Sequence, residues 1–221
     1  MFARRLILLA VLTGGILADT MAPAQAQDLA GARQFVSNLS TGAIRVMTGK
    51  GISDTERTRQ FRQLFIGAVD MPVVGKLVLG RYWRVATPEQ RSQFLAVFED
   101  ILVYTWATRF KNTAGTVRLQ IRGTAPGSGQ GVQVDSAIER QNREPIPVIW
   151  HLRPTGGGWR IVDLDVSGTS MIVTYRDEYA SYIVGHGGSV AALLDALRRK
   201  VAQLSQAPPA DGGDDPASLG Q

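Results

Sequence analysis

The first half of the chain carries apolar residues at steps of three and four, which is the spacing of amphipathic helices. A first helix is predicted over 28–47, and a second opens at the capping box formed by Ser53 and Glu56. The apolar run 73–79 predicts a short buried helix, and a Thr-Pro start signal predicts a long helix over 88–112. This half is therefore expected to be helical.

After residue 112 the apolar positions change to a period of two, which is the period of β-strands. Strands are predicted over 116–122, 132–138, 146–152 and 159–166. The connections between them are short and rich in glycine or polar residues, so the four strands should form an antiparallel meander.

The fourth strand runs directly into a helix. Strict alternation places Arg160, Val162, Leu164 and Val166 on one sheet face, and the cluster 167–170 supplies a turn and a helix cap. The apolar stripe of the helix that follows comprises Met171, Ile172, Tyr175, Tyr179, Tyr182 and Ile183. We expect this helix to lie on the apolar sheet face, where it either closes a solid core or leaves a pocket.

A last helix is predicted over 190–204, after a glycine turn. Together the elements predict one domain of the α+β class, in which about six helices wrap a four-stranded curved antiparallel sheet.

Both ends of the chain differ in composition from this domain. A short basic start, an apolar run and an Ala-x-Ala site predict a secretory signal peptide over 1–26, with an uncleaved anchor as the alternative. The domain proper is then 27–206. The remainder, 207–221, is rich in Pro, Gly and Asp and is predicted to be a disordered acidic tail.

The charge and the cysteine content narrow the classes of partner. The formal net charge of +5 favours anionic partners such as membrane surfaces or acidic proteins, and the alternative is a basic protein that makes no such use of its charge. Nucleic acid is not expected, because no run of bases is interleaved with aromatic residues. There is no cysteine, so stability cannot depend on disulfides.

Residues that could carry out chemistry are few. Two histidines, His151 and His186, without any cysteine predict no metal site. No Gly-x-Ser-x-Gly nucleophile motif is present. Asp163 and Asp165 could be a pair of catalytic carboxylates, although acids in this position more often face solvent or meet arginines. The remaining feature is an excess of aromatic residues, which fits either an ordinary core or the lining of a pocket.

Two stretches resemble a known family. The segments 78–91 (VLGRYWRVATPEQR) and 158–163 (GWRIVD), the latter followed by 168–172 (GTSMI), are similar to signatures of the MlaC/Ttg2D family of periplasmic phospholipid carriers. Family members often carry Glu and Val where this chain has Ser167 and Thr169, so partner contacts made by this turn could differ.

The resemblance implies a fold and a function. The fold would be similar to the NTF2-like cone, a curved sheet wrapped by helices around an internal apolar cavity. The function would be non-enzymatic transport of phospholipid by a periplasmic monomer. Its partners would be an inner-membrane MCE-type ABC transporter complex and an outer-membrane lipoprotein/porin complex, and its role would be to maintain outer-membrane lipid asymmetry. Cofactors would be absent, with lipid bound as cargo. A hopanoid or another polycyclic lipid is the alternative cargo, and a small NTF2-like enzyme using Asp163 or Asp165 as a base is the alternative function.

The resemblance also suggests where lipid would bind. The residues expected to contact the acyl chains are Leu77, Tyr82, Trp83, Val148, Trp150, Leu152, Ile172, Tyr175, Tyr179 and Ile183. Three arginines are expected at the cavity mouth, where they could meet a lipid phosphate: Arg81, Arg84 and Arg176.

Overall fold

A computed structural model of the protein describes residues 23–49, 51–111, 117–140 and 143–206. The predicted signal peptide lies mostly, and the predicted tail entirely, outside these residues. The described helices are α1 (Pro23–Thr48), α2 (Asp54–Ala68), α3 (Met71–Leu79), α4 (Tyr82–Val85), α5 (Pro88–Lys111), α6 (Met171–Gly185) and α7 (Val190–Gln206). The described strands are β1 (Val117–Pro126), β2 (Val132–Arg140), β3 (Arg143–Thr155), β4 (Gly158–Val166) and β5 (Thr169–Ser170).

The predicted α+β class is confirmed, with one antiparallel sheet in the order β1-β2-β3-β4-β5. The described residues contain five strands instead of four and seven helices instead of about six. The additional helix is α4, which lies between the helices predicted over 73–79 and 88–112. The additional strand is β5, which pairs with the end of β4 through Val166–Thr169 and Asp165–Ser170. Ser167 and Gly168 form the two-residue turn between these strands, both with positive φ, which matches the twist of a tight hairpin.

The predicted alternation of the fourth strand is wrong, because β4 contains a bulge. Leu152 pairs with Ile161 and His151 pairs with Asp163, so Val162 has no partner on β3. One extra residue reverses the alternation. As a result Ile161, not Val162, shares the inner sheet face with Leu164.

The described interior contains a helical core, a sheet core and a smaller cluster of Phe61, Val103 and Ala107 between α2 and α5. The helical core lies among α3, α5, α6 and α7, and its centre contains Phe94, Phe98 and Leu193. The sheet core lies between the inner sheet face and α1, which contributes Ala32 and Val36. None of the helices in the described segments is long and apolar enough to cross a membrane.

Candidate binding cavity

An apolar cavity of about 60 Å³ lies where the two cores meet. Its wall comprises Phe65, Val69, Val74, Val78, Phe98, Leu102, Trp106, Ile161, Val162, Asp163, Leu164, Met171, Ile172 and Tyr175. These residues come from α2, the α2–α3 connection, α3, α5, β4 and α6. All of them except Asp163 are apolar or aromatic, so the cavity suits an apolar guest.

The corner between α2 and α3 closes the cavity against β4. The backbone N–H of Asp70 donates to the carbonyl of Ile161 at 2.9 Å, and Val69 pairs with Ile161 as an isolated bridge. The Asp70 carboxylate accepts a hydrogen bond from Arg153 at 2.5 Å and another from the N–H of Val73, which caps α3. The N-terminus of α3 is thereby tied to the sheet.

Asp163 ties the N-terminus of α6 to the same strand. Its Oδ1 accepts hydrogen bonds from the backbone N–H of Leu164 at 2.7 Å and of Ile172 at 3.1 Å. Its Oδ2 accepts a hydrogen bond from Ser170 Oγ at 2.5 Å. Ser170 is the N-cap of α6, as predicted, and its Oγ accepts from Val173 N–H. Both carboxylate oxygens are therefore engaged in holding the helix start.

The helix that follows the fourth strand, α6, was predicted to lie on the apolar sheet face, and it meets β4 at its beginning but packs against α5 farther along. Tyr175 meets Phe98 edge-to-face with ring centroids 5.2 Å apart, and Tyr179 meets Phe94 edge-to-face at 6.1 Å. Phe94 and Phe98 stack at 5.5 Å along α5. Burial raises the pKa of Tyr179 well above its ordinary value. The protein's own rings fill the space beneath this part of α6, so the cavity borders only the beginning of the helix.

The structure places the ten predicted lipid-contacting residues in four surroundings. Ile172 and Tyr175 line the cavity. Tyr179 and Ile183 are buried farther along the helical core, and Tyr82 and Trp83 pack partly buried against that core. Leu77 lies on the outer side of α3, with 47% of its surface exposed.

The other three residues lie on the inner sheet face. Val148 and Leu152 are buried there, and Trp150 is half-buried. The Trp150 indole N–H donates to Ser136 Oγ at 2.8 Å, and Ser136 in turn donates to the carbonyl of Val148. These two bonds fix the indole on the sheet. Lipid contact by any of the ten residues stays a prediction.

The three predicted mouth arginines are exposed: Arg81 at the start of α4, Arg84 on α4 and Arg176 on α6. The aliphatic part of Arg176 lies against Gly80, and its guanidinium is 3.5 Å from Asp177. The guanidinium of Arg81 lies over the Tyr82 ring at 4.9 Å from the centroid. Arg84 is exposed on α4. Phosphate binding by these arginines also stays a prediction.

Sequence reasoning missed most of the cavity wall. Val74, Val78, Phe98 and Leu102 belong to helical stripes that were identified as buried faces, but a stripe does not indicate whether its residues meet a neighbour or a void. Among the described residues, no group of three or more His, Asp or Glu side chains could hold a metal ion.

An antiparallel sheet and helices that together line an apolar cavity define a class of domain suited to holding an apolar molecule. Residues 38–199 match the MlaC protein family, and the chain belongs to that family.

One curated relative and one known structure are similar to this chain. The chain is 26% identical over 142 residues to the toluene tolerance protein ttg2D of Pseudomonas putida, a match that covers 63% of this chain. It spans 65% of the relative, just under two thirds of its length. The fold is similar to that of a phospholipid-binding protein from Ralstonia solanacearum in complex with a phospholipid, with a TM-score of 0.69 and 24% identity. The overlap covers 81% of this chain and 99% of that chain.

Proposed function

We propose that this protein is a periplasmic carrier that binds phospholipid and moves it between membranes without a chemical step. The observation that carries the proposal is the apolar cavity between β4 and the helices, within the segment that matches the MlaC family. The similar Ralstonia solanacearum protein, described as bound to a phospholipid, supports the choice of cargo.

The energetics of the cargo require a deep site. A phospholipid has about 30 methylenes in its two chains, and exposing them at ~0.8 kcal/mol each would cost on the order of 25 kcal/mol. The cavity of about 60 Å³ has room for on the order of four water molecules. Binding two acyl chains therefore requires the walls to move apart. We infer that the cavity is the contracted, empty form of the site.

The headgroup can remain in water at the edge of the site. The stem of Arg176 packs against Gly80 at the end of α3, and Arg81 is the next residue in the chain. The same helix, α3, contributes Val74 and Val78 to the cavity wall. An acyl chain passing between α3 and α6 would bring its phosphate to these arginines, with Arg84 nearby in the chain. Guanidinium groups bind phosphate through paired hydrogen bonds.

The location and the partners complete the proposal. We infer that residues 1–26 direct export, that 27–206 form the carrier domain and that 207–221 form the tail. The carrier would act as a monomer. It would exchange lipid with an inner-membrane MCE-type ABC transporter complex and with an outer-membrane lipoprotein/porin complex, which would maintain the lipid asymmetry of the outer membrane.

Two alternatives differ in what they require of the cavity. A hopanoid or another polycyclic lipid would need a similar apolar site but a rigid, wider one. An enzyme would need a free base, and both oxygens of Asp163 already accept hydrogen bonds from Ser170, Leu164 and Ile172. Asp165 lies 3.0 Å from His151 Nε2, both on the sheet face opposite to the cavity lining of Ile161 and Leu164. Because both carboxylates already have hydrogen-bond partners within the protein, we favour the carrier over the enzyme.

Native mass spectrometry of protein purified from its own host tests the proposal. We expect a bound mass that extraction identifies as phospholipid. A hopanoid mass would select the alternative cargo, and a mass without ligand in repeated preparations would refute the carrier function. Turnover by the wild type that is lost in Asp163→Asn would favour the enzyme.

A pair of variants tests whether the cavity is the site. Val74→Phe places a ring in the cavity and should reduce lipid occupancy severalfold. Val184→Phe adds the same ring on the exposed side of α6 and should leave occupancy unchanged. Equal occupancy in the two variants would exclude this cavity as the acyl-chain site.

A further inference from the structure

Five large hydrophobic side chains are exposed in the described residues, and two of them are Ile66 on α2 and Val184 near the end of α6. The other three are Leu77 on α3, Val85 on α4 and Val173 at the start of α6, which are exposed by 47%, 70% and 40%. Single exposed apolar residues are ordinary, but a group of them beside basic residues indicates an interaction site.

Basic residues lie among these apolar ones. The segment 71–86, which contains α3 and α4, has three bases, Lys76, Arg81 and Arg84, and no acid. On α6, Arg176 follows Val173 by three residues and therefore lies on the same helix face. The neighbouring acid is Asp177, which lies 3.5 Å from Arg176.

The packing of α3 against α6 joins these residues into one surface. The stem of Arg176 crosses Gly80, so the outer side of α6 adjoins the end of α3. The turn from α3 into α4 is tight, because the N–H of Trp83 donates to the carbonyl of Gly80 at 3.1 Å. Tyr82 and Trp83 are half-buried within this turn. The same two helices, α3 and α6, contribute inner residues to the cavity.

We propose that this surface, comprising Lys76, Leu77, Arg81, Val85, Val173 and Arg176, docks the protein on the surface of an anionic phospholipid bilayer. Apolar side chains enter the boundary between headgroups and acyl chains, aromatic residues lie at the interface, and basic residues attract anionic lipid. The net charge of +5 adds a longer-range attraction to the same membrane.

The docking surface extends the proposed carrier function. Only the biological purpose of docking rests on the carrier function; the binding to vesicles does not. Docking would place the seam between α3 and α6 against the bilayer, so an acyl chain could pass into the cavity with little exposure to water. A carrier that exchanges lipid only through protein partners would still load lipid but would not bind bare vesicles. The two proposals can therefore fail separately.

Cosedimentation with vesicles tests the docking surface. The full-length mature protein should bind vesicles of phosphatidylglycerol and phosphatidylcholine at low salt. Binding to pure phosphatidylcholine should be at least tenfold weaker, and added salt should weaken binding to the anionic vesicles. Absence of binding to anionic vesicles at low salt would overturn the proposal, and binding only to membranes that retain their proteins would assign the surface to a protein partner.

Two double variants assign the binding to this surface. Lys76→Glu with Val85→Asp should weaken vesicle binding at least about tenfold, since each base near an anionic surface contributes about fivefold. Arg199→Glu with Val184→Asp makes the same kinds of change on α7 and on the far end of α6, and should change binding less than threefold. Both variants should retain wild-type thermal unfolding and bound lipid. Equal weakening in the two variants would indicate attraction to net charge alone and would refute the docking surface.

Discussion

The two halves of α6 face different surroundings, although one apolar stripe runs along both. At its beginning, Ile172 and Tyr175 border a cavity whose opposite wall is β4. Farther along, Tyr179 and Ile183 are buried in the helical core beside the rings of α5. The first half borders the cavity as well as the helical core, whereas the second half is surrounded by core side chains alone.

The difference arises from the elements that oppose α6. Opposite the second half, Phe94 and Phe98 are one helical turn apart on α5 and fill the gap with stacked rings. Opposite the first half lie a bulged strand and the α2–α3 corner, whose positions are fixed by the hydrogen bonds of Asp163 and Asp70. These hydrogen bonds hold the backbone elements in place without bringing the apolar side chains between them into contact. A cavity can therefore persist beside the packed core.

Truncation of Phe94 or Phe98 tests the difference between the two halves of α6 and should have the largest effect on stability. Phe94→Ala and Phe98→Ala should each lower the free energy of unfolding of the empty protein by about 3–5 kcal/mol. Phe98 also lines the cavity, so its truncation leaves a void that a bound acyl chain can fill. Lipid-loaded Phe98→Ala should therefore recover part of the loss, measured by urea unfolding of the loaded and delipidated forms. If Phe94→Ala recovers as much, the two regions are not separate.

Removing the polar tie at the start of α6 should have the next largest effect. Asp163→Ala removes the acceptor of three hydrogen bonds and should lower the free energy of unfolding by about 3 kcal/mol. Hydrogen exchange should show lost protection at Ile172 and Val173, while protection near Tyr179 is retained. Asp165→Ala, which disrupts a partly exposed pair with His151, is the control and should cost less than about 1 kcal/mol. A uniform loss of protection along α6 would contradict independent halves.

The order and type of the longer elements could be predicted from the sequence because they depend on local periodicity, whereas α4 and β5, with four and two residues, are too short to show one. The capping by Ser170 was also predictable, since it needs only a serine before an apolar stripe. The bulge at Val162 was not predictable, because the sequence 160–166 fits one continuous alternation and the extra residue is visible only in the pairing of β4 with β3.

The candidate site was less predictable than the fold, for a related reason. Tyr175 and Tyr179 both have the spacing of a buried helix face, yet of these two only Tyr175 lines the cavity. The decision between cavity and core depends on Phe94 and Phe98, which are about 80 residues away in the sequence. Leu77 was predicted to contact lipid but lies on the outer side of α3. Its neighbours Val74 and Val78, which were not predicted to do so, line the cavity.

The smallest expected effect concerns the hydroxyl of Tyr179 and appears only at alkaline pH. Burial favours the neutral phenol and raises its pKa in the folded protein. Any stability that this shift contributes is present below the unfolded-state pKa of about 10 and is lost as the pH rises above it, because the unfolded chain then releases the proton more readily. Tyr179→Phe removes this group, so wild type and variant should differ in unfolding temperature by a constant amount up to about pH 9. Above about pH 10 the wild type should lose stability relative to the variant. A difference that stays constant through pH 11 would mean that water reaches the phenol and that the filled half of α6 is less tightly packed than its ring contacts indicate.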